Sequence, residues 1–272
     1  MPHELIDGIE SGDEIAVLQF MSIIRGTKLP ENFLFMPVVD VSGSMSGHPM
    51  KAAVALGLIL AYSQPEDSPF ARKFLLFSRT PQAYQLPPIF GPDKVELARV
   101  VTSVMEKDAG LNTDFIACMS LMLNMLTRTK GDLDKTNVLV VFTDMGFDCA
   151  DDSLPHSLAQ PGSQETHLER LKRMYADAGV RMPIIVFWNL RNSTPTAVAP
   201  TFHTDVVILS GLDVGLMKTF FEMLGSGQFK SAHAAPSLQD CEGEDEGGQN
   251  LNTDGIMDAL LSRYEYKRYK DV

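Results

Sequence analysis

Cysteine is scarce, with three in 272 residues. Cys118, Cys149 and Cys241 lie far apart without a CxxC or Cys/His spacing, so neither a disulfide framework nor a structural zinc site is expected, and a reducing compartment is. Basic charge is also short: 23 Lys and Arg stand against 35 Asp and Glu, a net charge of −12. Affinity for a polyanion comes mostly from phosphate contacts by Lys and Arg, so this balance argues against non-specific nucleic-acid binding. Long apolar runs are missing as well. The longest, Ala52 to Tyr62, falls short of the roughly 18 residues that a membrane span requires. The first twenty residues are acidic where a signal peptide would be basic, so an intracellular, cytoplasmic protein with no membrane partner is expected. Absent too are a Walker-type phosphate loop, a GxSxG motif and a plausible Cys/His pair.

What is present is an alternation of strands and helices. Ser11-Gly-Asp-Glu14 reads as a capping box before an amphipathic helix carrying Ile15, Leu18, Phe20 and Ile23. Phe33 to Val39, ending in Asp40, reads as a strand buried on both faces, with Pro37 as a blemish in its ladder. Further strands are expected at Lys73–Ser78, Gln82–Gln85, Asn137–Thr143, Met182–Trp188 and Val206–Leu209. Helices are expected at Met50–Tyr62, Asp93–Met105, Asp114–Leu126, Thr166–Ala178 and Leu212–Leu224, with a long loop at Asp148–Gln164. Such an order means βαβ units and a mainly parallel sheet covered on both faces. Four segments follow: a helical extension (1–30), the α/β domain (31–224), an acidic flexible linker (225–252) and a C-terminal helix (253–272) docking on the core through Ile256, Leu260, Leu261 and Tyr264.

In an open parallel sheet, ligands bind beyond the carboxyl ends of the strands. Asp40-Val-Ser42-Gly-Ser44 leaves the first strand there, Asp144 follows a later one, and Thr113 lies between two helices. On the loop, Asp40, Ser42 and Ser44 are alternate residues able to point the same way, with Gly43 and Gly47 permitting a tight turn. Hydroxyls and carboxylates without His or Cys form a hard, all-oxygen donor set suited to Mg²⁺ or Mn²⁺. The metal-free alternative is that the serines cap the following helix and Asp144 accepts backbone N–H bonds. Phe187 and Trp188 read as sheet core, Met119, Met122 and Met125 as core filler, and His48 as a helix-start residue. Arg191 reads either as an anion contact or as a solvated charge.

The segments DVSGSM at Asp40, NTDF at Asn112, TDMGFD at Thr143 and VFWNLR at Val186, in that order, resemble the metal-ion-dependent adhesion site of von Willebrand factor A (vWA) domains. They are most similar to the vWA half of the Ro/TROVE proteins and of TROVE-like proteins in plants, fungi and large viruses. The resemblance implies a Rossmann-like, doubly wound sheet with one antiparallel edge strand. It also implies an ion held by Ser42, Ser44 and Thr113, with Asp40 and Asp144 acting directly or through water. The implied activity is non-enzymatic: a protein partner would present an acidic group to the open position of the ion, with Asp114, Asp148 and Arg191 on the rim. The helical-repeat RNA-binding ring of the Ro proteins has no counterpart in this sequence. Direct RNA binding is therefore not expected, although a place in an RNA-containing complex is compatible. The alternative is a haloacid-dehalogenase-like, Mg²⁺-dependent phosphatase with Asp40 as nucleophile. It would leave Thr113 idle, and it meets a serine at position 42 where its proton-donating acid usually stands.

Overall fold

The computed structural model describes residues 1–77, 81–107, 115–128, 135–144, 167–191 and 206–226. The expected loop at 148–164, nearly all of the acidic linker and the C-terminal helix lie outside them. Six strands form one sheet: β1 (Phe33–Asp40), β2 (Lys73–Phe77), β3 (Gln82–Gln85), β4 (Thr136–Thr143), β5 (Ile184–Asn189) and β6 (Val206–Ser210). Their spatial order is β3-β2-β1-β4-β5-β6. All pairs are parallel except β2 with β3, so the fold is α/β and Rossmann-like with one antiparallel edge strand.

The central strands bury both faces by simple alternation. Phe35 and Val39 of β1, Val138, Val140 and Phe142 of β4, and Val186 and Trp188 of β5 face one core layer. Leu34, Met36, Val38, Leu139, Val141, Ile185 and Phe187 face the other. Helices α1 (Pro2–Glu10), α2 (Glu14–Gly26), α3 (His48–Tyr62), α4 (Leu97–Met105) and α7 (Val214–Gly225) contribute to the first layer. Helices α5 (Phe115–Arg128) and α6 (His167–Asp177) contribute to the second. Pro37 is tolerated in a central strand because recorded pairing with β2 begins only at Val38, one residue later. Trp188 and Phe187 are core residues as expected, and the Trp188 indole N–H donates to the Gly211 carbonyl at 2.8 Å. Met119 and Met122 are fully buried and Met125 partly so, which fits filler on the inner face of α5.

Two local expectations change. The capping box at Ser11 does not form, because an additional helix, α1, ends there. The Ser11 hydroxyl donates to the Gly8 carbonyl, and Gly12 turns the chain with a φ of +81°. Asp13 takes over as the N-cap of α2, its carboxylate accepting the Ile15 N–H at 2.8 Å. Helix α4 starts at Leu97 rather than at Asp93. Gly91 at φ +87° and the bond from Val95 N–H to the Pro88 carbonyl hold the preceding residues in a loop.

Among the described residues, no helix is long and apolar enough to cross a membrane.

Candidate functional site

The chain winds outward from β1 in two directions, to β2 and β3 on one side and to β4, β5 and β6 on the other. The crevice past the carboxyl ends of β1 and β4 is thus the topological switch point. Asp40 is the last residue of β1, and Asp144 directly follows β4. Register places Val39 opposite Phe142, so the two acids emerge side by side.

The loop after β1 is built by its own short polar residues. The Asp40 carboxylate accepts the Ser42 N–H at 2.9 Å, an Asx-type turn that folds the chain back over the strand tip. A single turn of 3-10 helix, Gly43–Met45, follows, and Gly47 at φ +89° redirects the chain into α3. This brings the Ser42 and Ser44 hydroxyls to 3.1 Å from each other, and the Ser44 hydroxyl donates to Asp144 Oδ1 at 3.5 Å. Neither serine side chain caps α3, whose N-cap is Gly47 without a side-chain bond. Asp40, Ser42, Ser44 and Asp144 therefore converge, two carboxylates with two hydroxyls. Thr113, Asp114 and Asp148 lie outside the described residues.

Asp40 and Asp144 are each 2% exposed, whereas Ser44 is open to solvent. Burial pushes the Asp40 carboxyl above its ordinary range, opposed by the Ser42 N–H and the Thr143 hydroxyl and reinforced by the Asp144 charge. Arg191, just past β5, brings its guanidinium Nε to 3.7 Å from Asp144 Oδ2. His48 is the first residue of α3 and stacks on His3 of α1, with ring centroids 4.4 Å apart. Among the described residues no three His, Cys, Asp or Glu side chains group as a metal site.

Sequence reasoning left Thr143 without a role of its own. Its hydroxyl donates to Asp40 Oδ2 at 2.7 Å, so both oxygens of that carboxylate are engaged. The only hint in the sequence is position, a hydroxyl at a strand terminus next to an acid.

Comparison with known proteins gives three findings. An uncharacterized protein, L728, of Acanthamoeba polyphaga mimivirus is 30% identical over 224 residues, covering 80% of this chain and 36% of the viral protein. The crystal structure of the Ro (RSR) protein of Deinococcus radiodurans aligns with a TM-score of 0.47 at 20% identity, over 78% of this chain and 37% of that one. The chain thus spans little more than a third of the length of either protein. A family model described as a domain of unknown function, DUF7788, matches residues 35–260, from the middle of β1 past the whole candidate site, and the chain belongs to that family.

Proposed function

We propose that this chain is a divalent-cation-dependent interaction module of the vWA type, which binds Mg²⁺ or Mn²⁺ and through it an acidic group on a protein partner. The observation that carries this reading is the convergence of Asp40, Ser42, Ser44 and Asp144 from two strand ends a hundred residues apart in sequence. The donor chemistry fits. With metal–oxygen distances of about 2.1 Å, adjacent ligands of an octahedral ion lie about 3.0 Å apart. The Ser42–Ser44 oxygen separation of 3.1 Å matches such an edge. The Ser44–Asp144 separation of 3.5 Å is wider, which suits a carboxylate acting through water. Ser42, Ser44 and, by the vWA resemblance, Thr113 would hold the ion. Asp40 orients the loop through the Ser42 N–H. Among the described residues two carboxylates, Asp40 and Asp144, converge here, and with these two a dication keeps positive charge to offer an incoming acid.

The phosphatase alternative asks Asp40 to attack a phosphorus atom. A nucleophile needs a free oxygen facing solvent, and Asp40 is buried with both oxygens accepting hydrogen bonds. The module reading is therefore preferred, and no catalytic residue is assigned.

Thermal melts of the full chain with and without Mg²⁺ test the reading. Stabilisation should follow mass action, reaching about 2.7 kcal/mol at a hundredfold excess over Kd. Asp40→Asn keeps the shape and should lose most of that increase. An equal increase in the variant refutes the site, and Asp40-dependent hydrolysis of an aryl phosphate would install the phosphatase instead.

A further inference from the structure

We propose that Arg191 is a built-in counter-cation of the site, whose guanidinium competes with the divalent ion for Asp144. The inference rests on the cation site proposed above and adds a residue that sets its affinity.

The backbone around Arg191 is pinned. Leu190 N–H donates to the Thr143 carbonyl at 2.8 Å, carrying the β4–β5 ladder beyond the end of β5. Arg191 N–H then donates to Asn189 Oδ1 at 2.9 Å, a turn that lifts the chain off the sheet beside the crevice. From this fixed base the side chain reaches Asp144 Oδ2 at 3.7 Å, while Ser44 addresses the other oxygen, Oδ1.

The two partners differ in burial. The Asp144 side chain is 1% exposed and the Arg191 side chain 64% exposed. The carboxylate is fixed in the crevice, whereas the guanidinium can leave it for water with little loss of solvation. A dication beside Ser42 and Ser44 would place two positive charges on the same carboxylate that Arg191 addresses, and the cations repel each other. Without the ion, the guanidinium offsets two buried acids lying side by side. Arg191 thus lowers the affinity of the ion while steadying the protein that lacks it.

Mg²⁺ titration by calorimetry on the full chain, its Arg191→Gln and Arg191→Lys variants, with parallel melts in EDTA, tests this. The Gln variant should bind Mg²⁺ about fivefold more tightly, the upper range for a partly exposed ion pair, with the gain shrinking at high salt. The Lys variant, which keeps the charge, should stay near the native affinity. In EDTA the Gln variant should melt about 1–3 °C lower, and saturating Mg²⁺ should close that gap. Native chain that binds Mg²⁺ with an affinity equal to or better than the Gln variant overturns the competition and leaves the cation site standing. Binding by the Gln variant alone supports the competition in its strongest form. If none of the three chains binds Mg²⁺, the cation site itself fails and this inference fails with it.

Discussion

The Thr143 hydroxyl donates to Asp40 Oδ2 at 2.7 Å, joining the last residue of β4 to the last residue of β1 across 103 positions of sequence. With the Ser42 N–H on the other oxygen, this bond fixes the orientation of a carboxyl that burial would rather keep protonated. The bond ties the tips of the two strands that bound the crevice.

Thr143→Val removes the donor and keeps the β-branched shape. The buried carboxyl then loses one of its hydrogen bonds, at a cost of about 1–3 kcal/mol in urea unfolding. Since Thr143 pulls the Asp40 pKa down, its loss should raise that pKa further, and Mg²⁺ binding at neutral pH should weaken. Unchanged stability and unchanged Mg²⁺ affinity would show the bond to be incidental.

The stacked pair His3 and His48 joins α1 to the first turn of α3, with an interplanar angle of 20°. Burial, then the neighbouring His48, hold His3 below its ordinary pKa, with Glu4 and Asp7 opposing. The ring atom Nδ1 of His3 is buried without a hydrogen-bond partner. As pH falls through about 6.5, unfolded chains take up the proton before folded ones, so stability is lost on acidification. His3→Phe keeps a stacked ring without a titrating group. Between pH 7 and 5 its unfolding free energy should fall less steeply than that of the native chain, by no more than about 1.4 kcal/mol per pH unit for one proton. Parallel slopes would mean that His3 does not sense pH.

Much of the fold is legible because β1, β4 and β5 are continuous apolar runs, which only a sheet covered on both faces explains. Strands at Gln82–Gln85 and around Val138 and Val186 lie where the sequence puts them. Helix α1 is hidden because its buried side is narrow: Pro2, Ile6 and Ile9 are its buried residues, among acids that read as solvated. Lys51 of α3 then ties it down, pairing with Asp7 at 2.5 Å and Glu10 at 2.6 Å. In the site, Asp40, Ser42 and Ser44 are legible together because a local turn makes their geometry. Asp144 is legible as an acid at a strand end. Arg191 is legible as a candidate anion contact beside a strand end, but its partner Asp144 is set by strand order and register, which a lone sequence does not carry. Thr143 has no role of its own in the sequence, where it looks like any β-branched residue in a strand.

The last prediction concerns Gly57, in the middle of α3. A Cβ there would collide with Cγ2 of Val39, the residue just before Asp40, so α3 lies against β1 more closely than any other side chain permits. On an exposed helix, Gly→Ala would stabilise by about 1 kcal/mol. Here the added methyl must push α3 and β1 apart in a close-packed layer, at a cost of about 1–3 kcal/mol, so Gly57→Ala should destabilise on balance. The double variant Gly57→Ala/Val39→Ala restores room for the methyl. It should therefore be more stable than the sum of the two single effects, because the sites touch and their energies couple. Urea unfolding of the four chains decides it. Strict additivity would mean that the contact at Val39 does not limit the approach of α3 to the strand that carries Asp40.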